Sequence, residues 1–352
     1  MRIALLWLIM ALSCYAGPLY RLTDLGSLPG GQSGATAISP GGAAVGWSLN
    51  GAYEDTSVLF GASPTALGIG RAQGINDAGT VVGTEYTPTG PQATVWSSNG
   101  SATSIAGPDS YALAINAAGQ VAGASNGQAF LYSNGELEYV NVGGLGSTAY
   151  GINNSGWVVG TVETSGGVFR GFLALPGGGI VSNIGNYAMA VSDAGHVAGH
   201  VRGSGGWLQA FVWQNGQLVR LGTLGGLMSF GYGVNAAGWT VGYSNRADGS
   251  IAAFLYRDGI LYDLNALVPE LNGWLLQTAY AINNNGQIVG SGLVDGQPRA
   301  FRLDLLPQIA PLALLSGETA PPDPVTNNPE PASLLLIGGG LAAVGLRKYL
   351  RR

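Results

Sequence analysis

Seven times along the chain an apolar residue meets a polar turn and then a second apolar run that ends in glycine. The phrase reads ISPGGAAVG from Ile38, INDAGTVVG from Ile75, INAAGQVAG from Ile115 and INNSGWVVG from Ile152. It continues as VSDAGHVAG from Val191, VNAAGWTVG from Val234 and INNNGQIVG from Ile282. Successive copies start 37, 40, 37, 39, 43 and 48 residues apart, the signature of a repeat architecture. Asn (Ser at Ser39 and Ser192) stands first in each turn and Gly stands fourth. This is the preference of a type I turn followed by a left-handed residue, so each phrase predicts a hairpin of two antiparallel strands. A phosphate-cradling glycine loop would open a helix and would not recur in every repeat.

The pattern around the phrase extends the hairpin. The third residue before the aligned Ile or Val is always small: Ala35, Ala72, Ala112, Ala149, Ala188, Gly231 and Ala279. The residue after it is mostly bulky, as at Tyr150, Met189, Tyr232 and Tyr280. A period of two then gives each first strand one small and one large face, with large residues filling the hollows of a neighbouring sheet. A third strand follows as QATVW (92–96), QAFLY (128–132), RGFLAL (170–175), QAFVW (209–213), AAFLY (252–256) and RAFRL (299–303), with a degenerate first copy, TSVLF (56–60). A fourth comes after a Gly turn, as in GELEYV (135–140), GQLVRLG (216–222) and GILYDL (259–264). The seventh repeat stops after its third strand, at Asp304. YRLTDLGSLPGG, from Tyr20 to Gly31, resembles fourth-strand text and supplies the missing strand from the other end of the chain. The expectation is an all-β fold: a seven-bladed β-propeller of four-stranded blades over residues 17–304, its last blade closed by the N-terminal strand.

Composition agrees. Glycine accounts for 60 of 352 residues and charged residues for only 9%, which suits turn-rich strands buried on both faces. The ends depart from the repeats. Residues 1–16 carry Arg2, an apolar run and small residues before a cleavage point after Ala16, the form of a secretory signal peptide that signal peptidase removes. Cys14, the sole cysteine, leaves with it, so the mature chain forms no disulfide. Residues 305–328 are a proline-rich linker, and Ala332–Leu346 is an uncharged stretch followed by RKYLRR. That stretch predicts a short, glycine-broken transmembrane helix whose basic flank stays cytoplasmic. Between the ends, residues 17–331 hold nine Arg against nineteen Asp and Glu, which argues against a nucleic-acid partner.

NNPEPASLLLIGGG, with Pro329, Glu330 and Pro331 at its core, resembles the PEP-CTERM sorting signal of exopolysaccharide-producing Gram-negative bacteria. The motif, apolar segment and basic tail stand in that signal's order over residues 329–352. The resemblance implies recognition by an exosortase-type processing enzyme, cleavage near the motif, transient anchoring in the inner membrane, and display on the outer envelope or release to the matrix. The repeats resemble extracellular HAF-type repeats over roughly residues 20–304. Gln128-Ala129-Phe130, Gln209-Ala210-Phe211 and Arg299-Ala300-Phe301 stand for the His-Ala-Phe triplet, though every copy lacks its His. That family implies an extracellular repeat protein and little about activity.

Catalytic and metal chemistry is sparse, and no cofactor, metal or catalytic residue is assigned. His196 and His200 sit four apart in a glycine-containing strand with no adjoining acid cluster, and predict surface residues. Asp77 and Asp193 are turn formers. The pairs Glu54–Asp55, Glu136–Glu138 and Asp263–Glu270 predict solvated carboxylates. Aromatic faces suit sugar rings, so Trp157 and Trp239, each after a turn glycine, are ligand-binding candidates. NALVPELNGWLLQ (265–277) is the least repetitive stretch, and it adds Glu270 and Trp274. The expected function is an exported, non-enzymatic protein with a binding or matrix-structural role, associated with exopolysaccharide. The alternative is a polysaccharide-acting hydrolase or lyase on the same scaffold.

Overall fold

A computed structural model describes residues 18–307. The signal peptide, the sorting motif, the expected transmembrane segment and nearly all of the linker lie outside these residues. The described part is all-β apart from one 3-10 turn, Leu264–Ala266. No helix among the described residues is long and apolar enough to cross a membrane.

The fourth repeat shows how the sequence is used. Strands β13 (Gly146–Ile152), β14 (Val158–Glu163), β15 (Phe169–Ala174) and β16 (Ile180–Ser182) form an antiparallel meander. The turn between β13 and β14 closes with Gly156 N–H donating to Asn153 O at 3.0 Å and Asn153 N–H to Trp157 O at 3.1 Å. Gly156 has φ +75°, and all seven turn glycines are left-handed. The same meander of consecutive strands recurs in three other separate four-stranded sheets. The first two repeats instead share one seven-stranded sheet, because β5 (Thr65–Ile75) is long enough to end one repeat and open the next. In the seventh repeat, β25 (Leu275–Ile282), β26 (Ile288–Val294) and β27 (Gln297–Leu305) lie in order, and β1 (Tyr20–Asp24) pairs with β27 from Tyr20↔Leu305 to Asp24↔Phe301. β27 thus runs one residue into the stretch expected to be linker.

The core is not one mass. Seven hydrophobic clusters each join two successive repeats, and one of them joins Val289 and Ala300 of the seventh repeat to Ala35 and Val58 of the first. The third strand supplies the anchor. Phe130, Phe172, Phe211, Phe254 and Phe301 are fully buried, each worth roughly 2–3 kcal/mol of apolar burial. Each stands directly opposite the glycine that ends its phrase, for instance Gly160↔Phe172 and Gly290↔Phe301. A Cβ on Gly160 would fall on Thr148 O and 2.7 Å from Phe172 Cζ, so glycine there makes room for the ring.

This corrects the expected packing. The bulky first-strand residues are not one face of a regular strand. The register shifts between Ala149 and Gly151, between Ala188 and Ala190, and at the same place in every repeat. Tyr150, Met189, Tyr232 and Tyr280 are therefore the extra residues of β-bulges, and they stay half-buried. The small residues beside them are buried as expected, with Ala35, Ala72, Ala112, Ala149, Ala188 and Ala279 fully so.

Candidate functional site

The seven turns come together. Residues of every phrase line one cavity of about 220 Å³, among them Asn76, Asn116, Asn153, Asn235 and Asn283. These asparagines are buried, although each opens a turn. Each side-chain oxygen accepts backbone N–H groups of its own turn, as Asn153 Oδ1 does from Ser155 at 3.1 Å and Trp157 at 2.9 Å. Each side-chain nitrogen donates to the next repeat: Asn76 to Asn116 O, Asn116 to Asn153 O, Asn153 to Ser192 O, Asn235 to Asn283 O, and Asn283 to Ser39 O. Ser39 and Ser192 lack the donor, so the chain of side-chain bonds skips the steps from Ser39 to Asn76 and from Ser192 to Asn235. The residue after the asparagine adds an outer tier, in which Asp193 accepts from Asn154 N and Nδ2 at 2.8 Å and Asp77 accepts from Gly41 N at 2.7 Å. The polar groups of this cavity are thus largely spent on joining repeats.

Trp157 and Trp239 serve the same joints. A Cβ on Gly195 would lie 3.0 Å from Trp157 Cζ3, and one on Gly286 would lie 3.0 Å from Trp239 Cζ3. Each indole therefore lies over the next repeat's turn glycine, as His196 does over Gly238. Trp239 also carries the Arg257 guanidinium 4.0 Å from its ring centroid, and Arg257 is ion-paired to Asp258 at 3.0 Å. With His196 and Tyr256 it lines a cavity of about 450 Å³.

Glu270 is exposed, whereas Trp274 is half-buried and stands edge-on to Phe301, with centroids 6.4 Å apart. The irregular 265–277 stretch is tied down by Asn265, which exchanges hydrogen bonds with Leu276 N and O. Leu264, Leu267 and Val268 are buried there in the cluster that also holds Tyr20. The structure gives this departure from the repeat a packing role and does not bring Glu270 to Trp157 or Trp239 in a common cavity.

His200 is not on the surface. It is buried in a row of rings, stacked on Tyr187 at 4.6 Å and packed on Phe230 at 4.9 Å. The row continues from Phe169 at one end to Tyr243, Tyr232 and Tyr280 at the other. Burial pushes the His200 imidazole down to about 4, and its Nδ1 has no partner among the described residues. His196 is half-buried, with its Nδ1 3.5 Å from Ser192 Oγ. Among the described residues no group of three His, Cys, Asp or Glu is placed to hold a metal ion. Of the carboxylates noted above, Asp55 pairs with Arg71 at 2.8 Å and Asp263 with Arg246 at 2.7 Å.

Sequence reasoning passed over Trp207. It follows GSGG in the hairpin between β18 (Val197–Arg202) and β19 (Leu208–Gln214), and it is 47% exposed. Its only signal in the text is a large aromatic beside three glycines, outside any repeat-wide pattern.

Residues 329–352 match the PEP-CTERM protein-sorting motif. This motif implies an exported protein, sorted to the envelope and processed by an exosortase-type enzyme. No curated protein matches the sequence. Among solved structures, the chain is similar to the β-propeller domain of the Trilobed protease from Pyrococcus furiosus, with 11% identity and a TM-score of 0.52 over 82% of this chain and 94% of that one. TolB from Acinetobacter baumannii gives 14% identity and a TM-score of 0.43 over 77% of this chain, which spans only 63% of TolB. The BP39L lectin from Burkholderia pseudomallei gives 10% identity and 0.39 over 81% and 98% of the two chains. Of the three, the protease domain is the one above 0.5, and its likeness speaks to fold alone: the chain has a β-propeller-like all-β fold.

Proposed function

We propose that this is an exported, envelope-sorted, seven-bladed β-propeller that works by binding or by building matrix, not by catalysis. The single observation that carries the reading is the sorting motif at 329–352, which stands downstream of the repeats. Pairing of β1 with β27, the hydrophobic cluster shared by the seventh and first repeats, and the Asn283–Ser39 bond support a closed ring. In this reading residues 1–16 are removed on export and residues 17–304 form the propeller with HAF-type repeats. Residues 305–328 space it from a short membrane segment that is lost on processing. Exopolysaccharide is the proposed partner, and Trp239 is the best placed of the four ligand candidates Trp157, Trp239, Glu270 and Trp274, because it lines a cavity.

The test uses the full chain and the polysaccharide of the producing cell. Co-sedimentation measures retention, and release of new reducing ends measures cleavage. Retention without new ends is expected. New reducing ends would make the protein a polysaccharide-acting enzyme, and absence of retention would remove the binding role.

A further inference from the structure

We infer that the cleft around the Gly203–Trp207 hairpin binds a carboxylate-bearing oligosaccharide, with Trp207 as stacking platform and Arg202 and Arg220 as carboxylate partners. The inference rests on the binding role proposed above and gives it a place and a ligand class.

The charges point there first. Among the described residues, Arg71, Arg246, Arg257, Arg299 and Arg302 are ion-paired, whereas Arg21, Arg170, Arg202 and Arg220 are not. Two of these four meet at one hairpin. Arg202 Nη1 donates to Gly206 O at 2.7 Å, and Arg220 Nη2 donates to Arg202 O at 3.2 Å. Both side chains are exposed and keep further N–H groups for a ligand. In a body where acids outnumber arginines, an arginine pair held by carbonyls and not by carboxylates is a local site for an anion. A planar guanidinium suits a carboxylate in bidentate geometry.

The shape points to sugar. Trp207, Arg220, Gln209, Ser204 and Leu227 line a cavity of about 410 Å³, within the size range of small-molecule clefts. On the other side of the hairpin, Arg202, Phe169, Tyr187 and Asn186 line a second cavity of about 130 Å³. The hairpin therefore stands between two separate cavities, each with an aromatic ring and an arginine, which suits a chain of residues better than a single one. Trp207 is held in place by its turn, where Gly203 N–H donates to Trp207 O at 2.8 Å and Gly206 takes φ +82°. Indole and guanidinium together match a sugar ring that carries an acid, and Gln209 and Ser204 match its hydroxyls. Trp239, by contrast, has Arg257 over its ring, and that charge is already met by Asp258. The carboxylate nearest in register is Glu163, opposite Phe169, and it lines neither cavity.

The probe is an oligomer of galacturonic acid, titrated calorimetrically into the full chain beside its methyl-esterified form, in which only the charge is removed. The acid form is expected to bind, more weakly as salt rises, and the ester at least about tenfold more weakly. Arg220→Gln and Trp207→Ala should each weaken binding by about tenfold or more with unchanged melting temperature, while Trp207→Phe keeps most of the affinity. Equal binding of acid and ester, no binding of the acid oligomer, or wild-type affinity in both variants would overturn the assignment. So would equal, Arg220-dependent binding of an RNA oligomer or of phosphatidylglycerol vesicles, which would mark an unselective anion patch. Retention on the producer's polysaccharide separates the two levels. If Trp207→Ala and Arg220→Gln chains are retained like wild type, the cleft is wrong and the binding role stands. If wild type is not retained, the binding role fails.

Discussion

Asn283 Nδ2 donates to Ser39 O at 3.1 Å, so a side chain in the last repeat holds the backbone of the first across 244 positions of sequence. The same side chain accepts from Asn285 N and Gln287 N and donates to Gln287 Oε1. One buried amide thus closes its own turn and joins two repeats. Asn283→Ala should cost about 2–4 kcal/mol, because buried partners on both sides lose their bonds. Asn283→Ser should cost less, since Ser39 and Ser192 already serve as turn acceptors through Ala43 N and His196 N. Urea unfolding measures both: equal losses would mean that the turn acceptor contributes nothing, and a neutral Asn283→Ser would mean that the inter-repeat bond contributes nothing beyond the turn.

Two glycines of the fourth repeat should fail differently. Gly156 is left-handed with Pro176 Cγ 3.4 Å from where a Cβ would sit, so Gly156→Val should cost on the order of 1–2 kcal/mol through backbone strain. At Gly160 a methyl group would meet Thr148 O and the Phe172 ring, so Gly160→Ala should cost more, roughly 2–4 kcal/mol, because sheet and core must both move. Reversal of that order in equilibrium unfolding would contradict the tight approach.

His200 should make stability depend on acidity. Its folded-state pKa lies near 4, below the ordinary value of 6.5, so the unfolded chain binds the proton first as pH falls. The contribution is full above about 6.5 and is lost toward 4, to the extent of about 3 kcal/mol. His200→Phe keeps the aromatic row and should flatten the change in melting temperature over this window. A variant that loses stability as steeply as wild type would place the acid sensitivity elsewhere.

Tyr20 is fully buried in β1, and its hydroxyl has no partner among the described residues. Burial holds that hydroxyl at about 12, against an ordinary 10. Tyr20→Phe should therefore be neutral or stabilising by up to about 1 kcal/mol. Deleting residues 20–25 should instead bare the edge of β27, lower the melting temperature and promote aggregation. Light scattering during a thermal ramp distinguishes the two, and a monomeric deletion with unchanged melting temperature would remove β1 from any role in closure.

Glu330→Ala should leave the repeats folded and block processing at the sorting motif. Intact mass of the protein recovered from the producing cell should lack Arg351 and Arg352 in wild type and retain them in the variant. A wild-type protein that keeps both would be a tail-anchored protein.

By itself the sequence determined what is local or repeated. A turn needs Asn first and a left-handed Gly fourth because of backbone sterics within four residues, so the hairpins and their spacing were legible. The third-strand Phe and the small Ala residues could be seen as recurring positions, and the sorting motif could be seen from its place at the chain end. What only the tertiary structure decided is how those positions meet. Gly160 needs Phe172 opposite it, Asn153 needs Ser192 of the next repeat, and Tyr150 is a bulge residue only because β14 pairs as it does. His200 and Trp207 show the same limit in opposite directions. A histidine in an exposed-looking strand is buried by one ring of its own repeat and one of the next, and a tryptophan with no pattern is left in the open in a hairpin whose two arginines have no ion pair. Turn chemistry depends on neighbours along the chain, whereas burial and charge pairing depend on neighbours in space, which no repeat spacing specifies.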